Sequence, residues 1–202
     1  YVDTTPGGAF TPSTIQIPTA TGDKAVTLSG SVLSVSGDLT LNVLGFVNVS
    51  SAHFVLNRST IALDIDGNGT ADVTGATLLT LGLSNVSMTI GSGGVGFTIT
   101  GASLVLASVS TPGASWTAIE GTVAHASLDG VPNLTLVADS LAFQYNTASG
   151  TYGAGLTTAL ALDWTRALDL DSNGHFGEAG DQLSVGGSPL NMSGALLAAS
   201  GT

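Results

Sequence analysis

From Val26 onward, apolar side chains alternate with small or polar ones in short pieces that come in pairs. Leu33-x-Val35 is followed by Leu39-x-Leu41, Val47-x-Val49 by Phe54-x-Leu56, and Leu79-x-Leu81 by Val86-x-Met88. The same holds for Phe97-x-Ile99 with Leu104-x-Leu106, and for Leu134-x-Leu136 with Leu141-x-Phe143. Successive side chains of a strand point to opposite faces, so a period of two marks half-buried strands. The Gly, Ser and Ala residues between the two pieces of a pair read as turns or bends.

Ile61, Leu79, Phe97, Trp116 and Leu134 open equivalent units at intervals of 18, 18, 19 and 18 residues. A near-constant advance of this size fits stacked coils. The expectation is therefore an all-β chain folded as a β-solenoid, parallel β-helix-like, with about 18–19 residues per coil. A β-sandwich is the alternative, because half of this period matches the spacing of its turns. A second, longer periodicity aligns Val26–Gly37 with Leu183–Gly194 at a constant offset of 157, with Gly30/Gly187, Ser31/Ser188, Leu33/Leu190, Ser36/Ser193 and Gly37/Gly194 identical. Residues 1–24, with Pro6, Pro12 and Pro18, read as an extended leader or linker. Residues 25–182 then form one complete repeat unit, and 183–202 the start of a following repeat.

Composition agrees with short strands and many turns. Of 202 residues 28 are Gly, 8% are charged and none is Cys. Disulfides are excluded, so stability must come from packing, ladder hydrogen bonds or metal. The net charge of −11 sets 14 acids against Lys24, Arg58 and Arg166. Three basic residues cannot build a phosphate-contacting surface, which argues against nucleic acid and anionic membranes as partners. No ionisable side chain occurs between Asp72 and Glu120, but Gly, Ser, Thr and Asn interrupt that run too often for membrane insertion. The sequence opens without a basic segment followed by an apolar one, so no signal peptide is read there.

Half of the acids lie in two windows. In Asp64-Ile65-Asp66-Gly67-Asn68-Gly69-Thr70-Ala71-Asp72, oxygen side chains stand at positions 1, 3, 5 and 9. Hard cations such as Ca²⁺ take six to eight oxygens, which a short loop supplies when alternate side chains turn inward. Asp64, Asp66, Asn68 and Asp72 are the expected side-chain ligands, and the Thr70 carbonyl the backbone one. The flanks alternate like strands, so this is no EF-hand. An Asx- and Gly-rich turn with a charged tip is the simpler alternative. The second window, Asp169 to Asp181, repeats D-x-D-x-N-G with Asp169, Asp171 and Asn173, but position 9 is Gly177. Glu178, Asp181 or water must complete that shell, with the His175 carbonyl facing the ion in place of its ring.

Other chemistry is sparsely supplied. Gly91-Ser92-Gly93-Gly94-Val95-Gly96 satisfies G-x-G-x-x-G, but a strand pattern follows where a dinucleotide site needs a helix. With no Cys, and with His53, His125 and His175 scattered, neither a zinc site nor a thiol nucleophile has its parts. Glu120, Asp129 and Asp139 are the carboxylates from which a glycosidase pair would have to come. Trp116 and Trp164 are read as core fillers before sugar platforms. Sequons at Asn48, Asn57, Asn68, Asn85, Asn133 and Asn191 follow from a composition rich in Asn, Ser and Thr.

The D-x-D-x-N-G-x-x-D loop resembles the calcium loops of integrin-type β-propellers. The acidic, Cys-free, Lys-poor chain with long tandem units is similar to calcium-binding repeat modules of very large secreted bacterial RTX-like adhesins, the substrates of type I secretion. The G-G-x-G-x-D nonapeptide of RTX blocks themselves is absent. The resemblance implies an extracellular, surface-displayed module, not an enzyme, that folds where calcium is plentiful. Its implied partners are calcium, neighbouring repeats of the same chain, and surface glycans or other cells. The alternatives are a carbohydrate- or ice-binding solenoid and a polysaccharide-degrading β-helix enzyme.

Overall fold

The computed structural model describes residues 15–18, 22–26, 33–43 and 46–202. Two compact units divide at Gly30/Ser31. In the first, β1 (Ile15–Ile17) pairs antiparallel with β2 (Lys24–Val26).

The second unit is all-β, and no helix occurs among its described residues. Its frame is a meander of five long strands: β5 (Val47–Leu63), β6 (Val73–Ser92), β7 (Val95–Ser110), β8 (Ala114–Asp129) and β9 (Leu136–Tyr152). At about 3.3 Å per residue these run roughly 50–65 Å. Each pairs antiparallel with the one before it. Short strands extend the edges. β3 (Leu33–Asp38), β4 (Leu41–Val43) and β11 (Leu168–Asp169) lie on β5; β10 (Thr157–Thr158) and β14 (Leu196–Ser200) lie on β9. The sheet remains open.

The solenoid expectation is corrected here. Every described strand pair is antiparallel, whereas coils of a β-helix stack in parallel. The interval of 18 to 19 residues is one long strand plus its turn, and a linear period cannot reveal that direction reverses each time. Nor do two large sheets face one another as in a sandwich. The small residues taken for turns sit inside single strands: Asn85, Gly101 and Ser140 have φ of 53°, 64° and 53°. Near Asn85 the register with β7 shifts, between Leu83 and Val86. Such bulges bend a strand without ending it. The true β6–β7 turn is Gly93-Gly94, with φ of 66° and 82°. Two positive φ values are what a tight two-residue hairpin requires. The G-x-G-x-x-G match is therefore a hairpin end.

The core lies on one face of one half of the sheet. Leu63, Leu78, Val109, Trp116, Ala107 and Ala118 point from it into a layer formed by the chain between β9 and β14. That layer supplies Leu162, Trp164, Leu168, Leu183, Val185, Leu190 and Met192, and contains the small pair β12 (Ser184–Val185) and β13 (Ser188–Pro189). Both tryptophans are 0% exposed, so neither can stack on a sugar. Trp116 Nε1, on β8, donates across to the Leu160 carbonyl at 3.1 Å, and Asn146, 1% exposed, also joins the two layers. Its Nδ2 donates to the carbonyls of Leu162 and Gly194, each at 2.8 Å, and its Oδ1 accepts from Trp164 Nε1 at 2.9 Å. The stretches related by the 157-residue offset occupy different places. Leu33, on edge strand β3, is 52% exposed; Leu190, in the core layer, is 0% exposed. Residues 27–32 of that match lie outside the described residues.

The opposite face is polar behind Leu78, Val109 and Trp116, where Ser108, Ser110, Ser115 and Thr117 stand, and becomes apolar farther along the strands toward the β6–β7 hairpin. One cross-strand row runs Leu56, Leu81, Leu106, Ile119, Tyr145, with Val35 and Leu197 at its ends. The next row holds Phe54, Leu83, Leu104 and Phe143, whose ring lies over Gly121. A third contains Val86, Ala102, Val123 and Leu141. Because directly opposed residues and those two apart share a face, these rows form one belt.

Candidate metal centre

Both acidic windows become loops at the same end of the sheet. The first leaves β5 after Leu63, and the second leaves β11 after Leu168. β11 pairs with β5 at that point, Leu168 opposite Leu63 and Asp169 opposite Ala62. The Asp64 N–H donates to the Ala167 carbonyl at 2.9 Å. Apolar ladder positions thus fix where each loop begins, and the first carboxylate of each is buried, Asp64 at 4% and Asp169 at 6% exposure.

In the first loop Asp64 accepts three backbone N–H groups. Its Oδ1 takes Gly67 at 2.7 Å and Asn68 at 3.1 Å, and its Oδ2 takes Gly69 at 2.8 Å. Gly67 and Gly69, with φ of 76° and 83°, turn the backbone so that these donors point inward. Asp72 Oδ2 accepts from Ile65 N at 2.7 Å and Asp66 N at 3.2 Å, which draws the loop's end back over its start. Asp66 holds the Asn68 amide through Oδ2 at 3.0 Å, and Asn68 Oδ1 accepts from Thr70 N at 2.8 Å. One carboxylate oxygen from each of Asp64, Asp66 and Asp72 lies within 4.8 Å of the others. Oxygens on opposite sides of a cation bound at about 2.4 Å stand that far apart, so the trio is spaced to hold one.

The second loop reuses the scheme. Asp169 accepts from Asn173 N at 3.2 Å and Gly174 N at 3.1 Å; Asp171 holds the Asn173 amide at 3.0 Å. Asp181, fully buried, accepts from Leu170 N at 3.0 Å through Oδ1. That is the contact Asp72 makes with Ile65 in the first loop. The trio within 4.8 Å here is Asp169, Asp171 and Asp181. Glu178 lies outside it and accepts from Asn173 Nδ2 at 3.3 Å; the His175 N–H donates to Asn173 Oδ1 at 2.7 Å. Of the alternatives open in the sequence, Asp181 is the one placed beside the other two carboxylates.

One basic side chain at this end went unnoticed in the sequence. Arg166 pairs through Nε with Asp163 Oδ2 at 3.2 Å. A Cβ on Gly67 would lie 2.6 Å from its Nη2, and one on Gly177 would lie 3.3 Å from its Cβ. Arg166 therefore stands between the loops; its place just before the D-x-D motif was the available signal. Gly67→Ala should cost about 1–2 kcal/mol from the left-handed backbone and also displace the guanidinium. In an Arg166→Ala background only the backbone part should remain, as urea unfolding of the four variants would show.

Tyr152 lies at the same end, its ring tilted 57° to that of Trp116 with centroids 6.0 Å apart. Burial raises the pKa of its phenol, and the Asp72 and Asp66 carboxylates raise it further. In the unfolded chain the phenol ionises near 10. The stability it contributes is present below that pH and is lost as pH rises through the higher folded value. Urea unfolding at about pH 9 and about pH 11 should show this loss, and less of it in Tyr152→Phe.

Among the described residues, carboxylates do not converge elsewhere. Glu120 and Asp129 lie nine residues apart on β8, about 30 Å at strand rise, far beyond the spacing of a glycosidase pair. Asp139 instead meets His125 Nδ1 at 2.6 Å, and Asp38 meets His53 at 2.9 Å, two exposed cross-strand pairs. Comparison with protein-family models, curated proteins and solved structures returned no match.

Proposed function

We propose that this chain is a calcium-stabilised structural or adhesive repeat module of a large secreted or surface-displayed bacterial protein. The observation that carries the metal part is the pair of three-carboxylate clusters, Asp64/Asp66/Asp72 and Asp169/Asp171/Asp181, each with oxygens within 4.8 Å. Every donor is oxygen, which favours Ca²⁺ over softer transition metals. Asn68, Thr70, Asn173 and His175 would add side-chain or carbonyl oxygens, and water the remainder. The loops sit where β5, β6, β11 and the core layer meet. A cation there ties the layer to the sheet. Without one, neighbouring carboxylates repel and loosen that junction. In calcium-poor cytosol such a chain stays loose, and outside the cell it sets.

Titration calorimetry tests this. Two calcium ions per chain are expected, and one after Asp66→Ala combined with Asp72→Ala. No calcium heat at millimolar ion would remove the metal and, with it, the calcium-dependent scaffold.

A row of hydroxyls, Thr60, Thr77, Ser110, Ser115 and Ser149, crosses five strands side by side, and it favours carbohydrate or ice binding as the second reading. The adjacent row carries Arg58 and Leu79, which interrupts the regular threonine array an ice-binding plane needs. Glycan-array binding that is lost in Ser115→Tyr would establish it.

A further inference from the structure

The three apolar rows of the belt on the face opposite the core carry no charged side chain and belong to no core cluster. Val35, Phe143, Tyr145 and Leu197 within it are 37% to 80% exposed. An antiparallel sheet ordinarily packs one face and hydrates the other, and its hydrated face reads polar. Here three successive rows of the face opposite the core are apolar. Patches beyond a few hundred Å² on a monomer mark interaction sites.

We infer that the belt is where a second copy of this unit packs, face to face, around a two-fold axis. Three properties select that occupant. The first is area. Strands stand about 4.8 Å apart and same-face rows about 6.7 Å apart. The apolar rows therefore cover roughly 500–600 Å² per copy, close to the lower end of the per-partner area of specific interfaces. The second is shape. The natural complement of an apolar sheet face is another sheet packed about 10 Å away, and the apolar hollow between Gly121, Val123, Leu141 and Phe143 is open to side chains from it. The third is charge. The clustered acids lie in loops at the end of the sheet and not in the belt; at its margins Asp139 is paired with His125 and Arg58 stands opposite Leu79, so two chains of net charge −11 meet on rows that carry no charge. A two-fold contact needs one patch that complements itself. Aromatic Phe54, Phe143 and Tyr145 with a rim of Thr100, His125 and Asp139 above and Ser108, Thr117 and Thr147 below give the apolar centre and polar margin of such an interface. The pairing does not depend on the calcium reading, although it is best measured in calcium-saturated protein.

Sedimentation velocity and light scattering of the full chain decide it. The mass should rise with concentration to twice that of one chain and stop there. Leu106→Lys or Leu81→Lys, at the centre of the belt, should hold the mass at one chain with an unchanged far-ultraviolet spectrum, while Ser92→Lys at the hairpin end should pair as the wild type does. Radical footprinting of the wild type supplies a readout independent of the variants: Tyr145 and Phe143 should become protected on going from dilute to concentrated protein. A wild type that keeps the mass of one chain at hundreds of micromolar overturns the inference. So do pairing undiminished in both lysine variants, masses that grow past two copies, or unchanged footprints at Tyr145.

Discussion

Asn146→Ala is expected to destabilise the second unit by about 3–5 kcal/mol, a large share of the 5–15 kcal/mol typical of a whole domain. The amide fastens both ends of the core layer to β9, Leu162 where the layer begins and Gly194 where it finishes, and it also receives the buried Trp164 N–H. Truncation leaves one donor and two acceptors in an apolar interior. Each unpaired group costs about 1–3 kcal/mol, the carbonyls less than the N–H. Trp164→Phe keeps most of the packing and removes only the N–H, so it should cost about 1–2 kcal/mol. Urea unfolding followed by Trp fluorescence checks the first variant, and circular dichroism the second. Equal stability of Asn146→Ala and wild type would mean that the Asn146 amide does not hold the layer to the sheet.

Calcium removal should lower the melting midpoint by roughly 10–20 °C. An ion that binds only the folded state at a hundredfold excess over Kd adds about 2.7 kcal/mol, and two such sites add about 5 kcal/mol. In a domain of this size each kcal/mol shifts the midpoint by roughly 2–4 °C. Asp66→Asn should abolish about half of the shift, since the second loop shares no ligand with the first. Magnesium should restore little, because it demands six ligands at about 2.1 Å and gives up water reluctantly. Calorimetry in calcium and in EDTA reads all of this, and identical midpoints would contradict it.

The strands were legible because alternation is a local property: the pairs Leu79/Leu81 and Leu104/Leu106 keep their parity in β6 and β7. Their direction was not. Nothing within eighteen residues tells a hairpin from a coil, and the deciding residues, Gly93-Gly94, lay in a motif match that was set aside without being read as a reversal. Gly101 looked like punctuation because glycine marks turns more often than bulges, and Gly82 is an ordinary paired strand position. The carboxylates of the first loop were visible in full, since its ligands lie within nine residues. Asp181 was left among alternatives because four residues separate it from the expected closing position. Only the fold shows that it takes the Leu170 N–H as Asp72 takes that of Ile65. Trp164 was read as a core filler and is one, but the layer around it was not foreseen. Leu162, Trp164, Leu183 and Met192 follow no period, because an irregular segment buries side chains wherever its path meets the sheet.

The most direct test of cation binding is anomalous diffraction from crystals grown with calcium. Two peaks are expected, one between Asp64, Asp66 and Asp72 and one between Asp169, Asp171 and Asp181, each about 2.3–2.6 Å from the carboxylate oxygens. Difference maps without a peak in either loop, from crystals saturated with calcium, would contradict it.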